Sequence, residues 1–105
     1  MADGILAGVL CTSVGNNLIY EAPAGVASTT VVTLSAVNNV EVAAQVFVTT
    51  GGAPTIANAV SPTFAIKDLP KTYTGLVLDA GQQLYVNVDT ANELVVAVNG
   101  LEGVV

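Results

Sequence analysis

Between residues 40 and 49 the chain alternates without a break: Val40, Val42, Ala44, Val46 and Val48 fall on one side of an extended backbone, and Glu41, Ala43, Gln45, Phe47 and Thr49 on the other. Successive side chains of a β-strand point to opposite faces, so this run specifies a strand with one face on a core. The stretch 84–89 repeats the pattern with Leu84, Val86 and Val88 inward. After Thr90-Ala91-Asn92, the residues Leu94, Val96 and Val98 repeat it again. Together these last two segments predict a hairpin. Val, Thr, Ile, Leu and Tyr also dominate 17–22, 29–37, 64–67 and 75–78, whereas strong helix formers are scarce. Turn residues separate the runs: Pro23 with Gly25, Asn38-Asn39, the stretch from Thr50 to Pro54, and Asp79-Ala80-Gly81. The expectation is one all-β domain over residues 1–105. It is an antiparallel β-sandwich, jelly-roll-like, with about seven to eight strands and no long helix. The inward rows assign the core to Val32, Leu34, Val42, Val46, Val48, Leu78, Leu84, Val86, Val88, Leu94, Val96 and Val98.

Two segments stand apart. Residues 53–63, with Pro54 and Pro62, read as a loop with room for a short helical turn at 56–60. Residues 1–15 are apolar and spaced by Gly4, Gly8 and Gly15, and they read either as a first strand beside 94–98 or as an arm on a neighbouring subunit. Ordering such a segment costs backbone entropy that only burial can offset. Ile5, Leu6, Val9 and Leu10 are therefore candidate contact residues, joined by Ile56 and Val60 from the loop. Tyr73 is a further candidate, since a half-buried tyrosine suits a sheet edge or a subunit contact.

Composition explains why contacts are sought at all. Hydrophobic residues make up 52% of the chain and charged residues only 10%, against about 25–35% on an ordinary soluble surface. Ten charges cannot cover a monomer without leaving apolar patches. Yet the longest apolar runs are far short of the ~20 residues that span a bilayer. The chain has two cations, Lys67 and Lys71, eight carboxylates and a net charge of −6. That balance speaks against nucleic acid, whose binding rests on neutralising phosphates, and against anionic membranes.

Catalytic chemistry is equally hard to assemble. The absence of His removes the Ser-His-Asp and Cys-His systems and the commonest metal ligand. Cys11 stands alone in an apolar run, so it offers neither an intramolecular disulfide nor a zinc cluster and reads as a small buried hydrophobe. The carboxylates are scattered over strand ends and turns rather than paired. Asp89, Asn92 and Glu93 carry oxygen ligands of the kind calcium takes, but their spacing fits no calcium loop and reads as a turn. Tyr73 and Tyr85 raise the question of glycan binding, with Tyr85 on the polar side of its strand beside Asn87 and Asp89. The expectation is a protein without enzymatic activity, cofactor or metal. Asp3 sits where a signal peptide would carry positive charge, so no leader is expected.

The order of segments adds a resemblance. Residues 17–25, Asn-Leu-Ile-Tyr-Glu-Ala-Pro-Ala-Gly, are followed by Thr29-Thr30-Val31-Val32-Thr33-Leu34, an Asn38-Asn39 turn and the alternating valine strand. The chain closes with Leu76-Val77-Leu78-Asp79-Ala80-Gly81-Gln82-Gln83-Leu84-Tyr85-Val86 and residues 94–102, Leu-Val-Val-Ala-Val-Asn-Gly-Leu-Glu. Over about residues 17–102 this resembles small β-sandwich virion proteins of tailed bacteriophages, among them capsid cement (decoration) proteins and tail or fibre accessory proteins. The resemblance implies a structural role on the capsid surface of the virion, frequently as a homotrimer bound to the major capsid protein and made in the bacterial host cytoplasm. A tail, collar or fibre component, and a carbohydrate-binding module for host glycans, are the alternatives.

Overall fold

The structure, a computed structural model, describes residues 3–104. It has eight strands: β1 (Asp3–Leu10), β2 (Gly15–Glu21), β3 (Val26–Ala36), β4 (Val42–Thr49), β5 (Phe64–Ile66), β6 (Lys71–Leu78), β7 (Gln83–Val88) and β8 (Leu94–Val104). One short 3₁₀ turn, Ile56–Asn58, interrupts the connection between β4 and β5. The strands form two four-stranded sheets, β1-β8-β3-β6 and β2-β7-β4-β5.

This order follows from one long hairpin wrapped on itself. Strands pair from the outside inward: β1 with β8, β2 with β7, β3 with β6, and β4 with β5, all antiparallel. Wrapping then brings β3 against β8 and β4 against β7, which completes each sheet. The result is a jelly roll. Connections gather at two ends. At the first end, Cys11 N donates to Leu94 O (2.9 Å), Asn92 N to Cys11 O (2.8 Å) and Val37 N to Glu93 O (3.0 Å). The β5–β6 turn lies at this end too, because Ile66 pairs with Val42 and Lys71 with Leu34. At the second end, Ala22 N donates to Gln82 O (3.0 Å) and Gly81 N to Ala22 O (2.9 Å).

Inward rows of the two sheets meet as the alternation requires. Val32, Leu34, Val42, Val46, Leu78, Leu84, Val86, Val88, Leu94, Val96 and Val98 are buried, with Ile66 and Cys11 among them. Each large apolar side chain buried in this way contributes about 1.5–3 kcal/mol. Val48 departs from the expectation. It pairs with Leu84 on the inward row but is only partly buried, because β4 is leaving the sandwich towards the 50–52 turn. Val40 lies before β4 and is exposed, since Asn39, with φ 57°, still belongs to the turn.

The expected hairpin between 84–89 and 94–98 is not formed. β7 and β8 belong to different sheets. Period-two alternation is identical whether two strands lie side by side or face each other across a core. In the wrapped hairpin β2 and β4 already occupy both sides of β7, and β1 and β3 both sides of β8. Asn92, in the left-handed region at φ 64°, turns the chain from one sheet to the other. Of the two readings of the N-terminal segment, Asp3–Leu10 takes the strand form, paired with β8 at the edge of the first sheet. Residues 1 and 2 of that segment, and residue 105, lie outside the described residues.

Candidate interaction face

The outward face of the β1-β8-β3-β6 sheet is built from strand positions that carry no charge on β3, β6 and β8. Register places Leu101, Thr29 and Val77 in one row, and Ile5, Asn99, Val31 and Thr74 in the next. Gly8, Ala97, Thr33 and Thr72 follow, then Leu10, Val95 and Ser35 towards the first end. The aliphatic members are open to water: Ile5 is 79% exposed, Leu101 62% and Val77 58%, with Val31 and Leu10 less so. Val77, Leu101, Val31 and Ile5 lie in two adjacent rows, linked by diagonal contacts, so they make a patch rather than scattered residues, with Leu10 two rows beyond.

Beneath the patch a polar cluster lies beside Leu76 and Leu78. Ser28 and Thr30 are fully buried on the inward side of β3. Thr30 Oγ1 donates to Leu76 O at 2.8 Å. The Tyr20 hydroxyl lies 2.6 Å from Ser28 Oγ and donates to Glu102 Oε2. This cluster links β2 of one sheet to β3 and β8 of the other. Burial, and then the neighbouring Glu102 carboxylate, push the Tyr20 pKa up, so the hydroxyl keeps its proton. At this second end of the first sheet, therefore, hydroxyls and a carboxylate share the inward side with Leu76 and Leu78, while Val31, Val77 and Leu101 point outward. Gly100 fits the same region closely: a Cβ there would sit 2.0 Å from the Thr29 carbonyl oxygen.

The opposite face, on the β2-β7-β4-β5 sheet, is made differently. Asn87 Nδ2 donates to Asn16 Oδ1 (2.8 Å), Gln83 Nε2 to Glu21 Oε1 (2.8 Å), and the Tyr85 hydroxyl to Gln83 Oε1 (3.3 Å). Gln45 bonds Ser61 O and Thr63 Oγ1. Phe47 lies on this outward row beside Tyr85 yet is buried, where the 50–63 segment returns along β4 and Ala59 bridges to it.

The residues singled out from sequence do not converge. Ile5 and Leu10 lie on the uncharged face, but Leu6, at a β-bulge, and Val9 pack against the core. Ile56 is exposed on the 3₁₀ turn, and Val60 N donates to Val46 O at 2.9 Å, so both belong to the other sheet's edge. Tyr73 sits on an inward row, its ring centroid 5.8 Å from that of Phe64, and closes the gap between β5 and β6. Val31 and Leu101 escaped the sequence reading because Thr30 and Glu102 beside them point inward, the reverse of the usual alternation; Val77, between the inward Leu76 and Leu78, lies in an apolar run with no alternation. The reversal itself, polar residues at the inward positions 28, 30 and 102, is the signal that marks Val31 and Leu101.

The reactive groups singled out from sequence lie in different surroundings. Burial lifts the Cys11 thiol from 9.0 to about 11, leaving it protonated and unreactive at neutral pH. Asp89 Oδ1 accepts from Ala43 N (2.9 Å) and Thr90 Oγ1 (3.0 Å), while Glu93 Oε2 is buried without a hydrogen-bond partner. Among the described residues no group of three or more His, Cys, Asp or Glu is arranged to hold a metal ion, and no helix is long and apolar enough to cross a membrane. No protein-family model and no curated protein matches the chain.

Proposed function

We propose that this protein is a non-enzymatic structural component of a bacteriophage virion: a capsid cement protein that binds the major capsid protein at the particle surface and associates with itself as a homotrimer. The observation that carries the reading is the outward face of the first sheet, uncharged on β3, β6 and β8, with Ile5, Val31, Val77 and Leu101 open to water. Aliphatics in that position do nothing for the domain's own core, and their exposure is relieved only by a partner. The edges of the sheets offer no equal alternative. β1 and β2 are interrupted by bulges, β6 bulges at Gly75 opposite β3, and β5 has only three residues. Such edges resist strand addition, which leaves the faces for association. The resemblance over residues 17–102 supports the virion setting. The jelly-roll order agrees with it as an analogy of fold, since viral capsid and lectin domains share that architecture.

The test is to quantify the chain in purified particles and to sediment it with assembled coat shells. Cement predicts a copy number comparable to that of the coat subunit and co-sedimentation that the Leu101→Asp variant loses. A few copies per particle, confined to the tail, would replace cement with a tail, collar or fibre role. Absence from particles would overturn the virion reading.

A further inference from the structure

We infer that the 67–71 turn is a docking tip for a second copy of this chain, and that its socket is the aliphatic patch at the opposite end of the first sheet. The inference deepens the self-association in the proposed function and rests on that part of it alone. Lys67 and Lys71 are the only Lys or Arg residues in a chain of net charge −6; Lys67 opens the turn after β5 and Lys71 is the first residue of β6. Residues 67–71 are all exposed, and Leu69, at 79%, stands between the lysines. Among the described residues neither lysine is ion-paired. Asp68 lies between them, which still leaves the turn net positive. The turn is braced from below: Lys71 Nζ lies 5.5 Å from the Phe64 ring centroid, Phe64 packs on Tyr73, and Pro70 restricts the backbone.

A partner for such a tip needs an apolar surface for Leu69 and negative charge near the lysines. The second end of the first sheet supplies both. Val77 and Leu101 flank Thr29, Ile5 and Val31 flank Asn99, and exposed Asp79 follows β6 two residues after Val77. Tip and socket lie at opposite ends of a molecule 40 Å long, so they meet only between copies. Each copy then offers one tip and one socket. Such a heterologous contact closes into a ring, as a trimer requires, or runs on as a filament. Leu69 provides the apolar anchor, and the flanking charges select orientation and make the contact sensitive to salt.

Sedimentation velocity of the full chain over a range of concentrations, at low and high salt, tests this. The parent is expected to self-associate, more weakly at high salt. The double variant Lys67→Glu/Lys71→Glu, and separately Asp79→Lys, are expected to weaken association about tenfold or more. Combining all three substitutions in one chain restores it, because the charges are exchanged. Leu69→Ser weakens association at both salt concentrations. All four positions are exposed, and unchanged melting temperatures confirm that each variant is folded. A monomeric parent, a Lys67→Glu/Lys71→Glu variant that associates like the parent, or absence of rescue in the triple variant each overturns the inference. The virion reading fails by a different result, a parent that does not attach to coat shells whatever its oligomeric state.

Discussion

The two outward faces of this sandwich solve the same problem in opposite ways. On the β2-β7-β4-β5 sheet amides, a carboxylate and a tyrosine bond one another in the pairs Asn16–Asn87, Glu21–Gln83 and Gln83–Tyr85, with Leu18 an exposed aliphatic opposite Tyr85. That face is satisfied in water and gains little from being covered. On the β1-β8-β3-β6 sheet the exposed groups are Ile5, Leu10, Val31, Val77 and Leu101 among threonines. Water gives these nothing, and removing them from it is favourable by about 25 cal/mol per Å². A chain with so few charges has not spread its apolar surplus evenly. Five exposed aliphatics, Ile5, Leu10, Val31, Val77 and Leu101, share the first sheet's face, whereas the strands of the other sheet expose Leu18, and a face of that kind suits a one-sided contact with other protein.

The comparison can be broken most severely at Gly100. This residue lets β8 lie close to β3 beneath the patch, and a Cβ would meet the Thr29 carbonyl oxygen at 2.0 Å with only backbone to yield. Gly100→Ala is expected to cost at least the ~3 kcal/mol at the upper end of ordinary overpacking, and to disorder the second end of the face. Urea denaturation measures it. A midpoint equal to the parent's would mean that β8 tolerates a shift there and that the face is not held in register by this contact.

Tyr20→Phe sharpens the contrast next. The variant keeps the ring but strips Ser28 and Glu102 of their shared partner between the sheets. Leaving the buried Ser28 hydroxyl without this bond costs about 1–3 kcal/mol. A loss of that size locates the stability of this end in its hydrogen bonds and frees the overlying aliphatics for another role. No loss would mean that the aliphatic patch itself holds the end together.

Much of this was legible in the sequence, and the failures share a cause. Alternation identified the strands around Val42–Thr49, Gln83–Val88 and the start of Leu94–Val104, and it put Val32, Leu34, Leu84 and Val96 in the core. A period of two states which residues share a side. It does not say which sheet a strand joins, so β7 and β8 read as neighbours when they face each other across the core. Nor does it name the buried side where the polarity is reversed. Ser28, Thr30 and Glu102 point inward because Tyr20 and the Leu76 carbonyl meet their hydrogen-bonding needs, and those partners are distant in sequence. Once these positions invert, Val31 and Leu101 are forced outward, and the candidate face appears only in three dimensions.

Alkaline titration probes the interior beneath the faces. Burial raises the Cys11 thiol from 9.0 to about 11, so between those values the unfolded chain has lost a proton that the folded chain keeps. Its contribution is fully present below about pH 9 and is lost as the pH rises towards 11, with a slope of at most ~1.4 kcal/mol per pH unit. Tyr20, also raised, acts with the same sign above the ordinary tyrosine range. Urea midpoints measured against pH are expected to fall in the parent and to flatten over the lower part of that range in Cys11→Ala. An unchanged slope in Cys11→Ala would mean that the thiol ionises equally well in the folded protein.

The smallest expected effect on stability is also the one that separates the two faces most directly. Leu101→Ser and Asn87→Ser each replace an outward strand residue, one on each sheet. Leu101 is well exposed, so its loss removes little burial from the monomer; Asn87 gives up one surface hydrogen bond to Asn16. Both are expected to alter stability by no more than about 0.5 kcal/mol. Association is where they part. Leu101→Ser takes an aliphatic out of a face that only a partner covers and is expected to weaken self-association or coat binding. Asn87→Ser alters a face whose polar groups already have partners and leaves both unchanged. Sedimentation of the two variants side by side, with and without assembled coat shells, reads the difference. If Asn87→Ser abolished binding while Leu101→Ser did not, the working surface would be the amide face, and the exposed aliphatics would be a cost the fold carries without use.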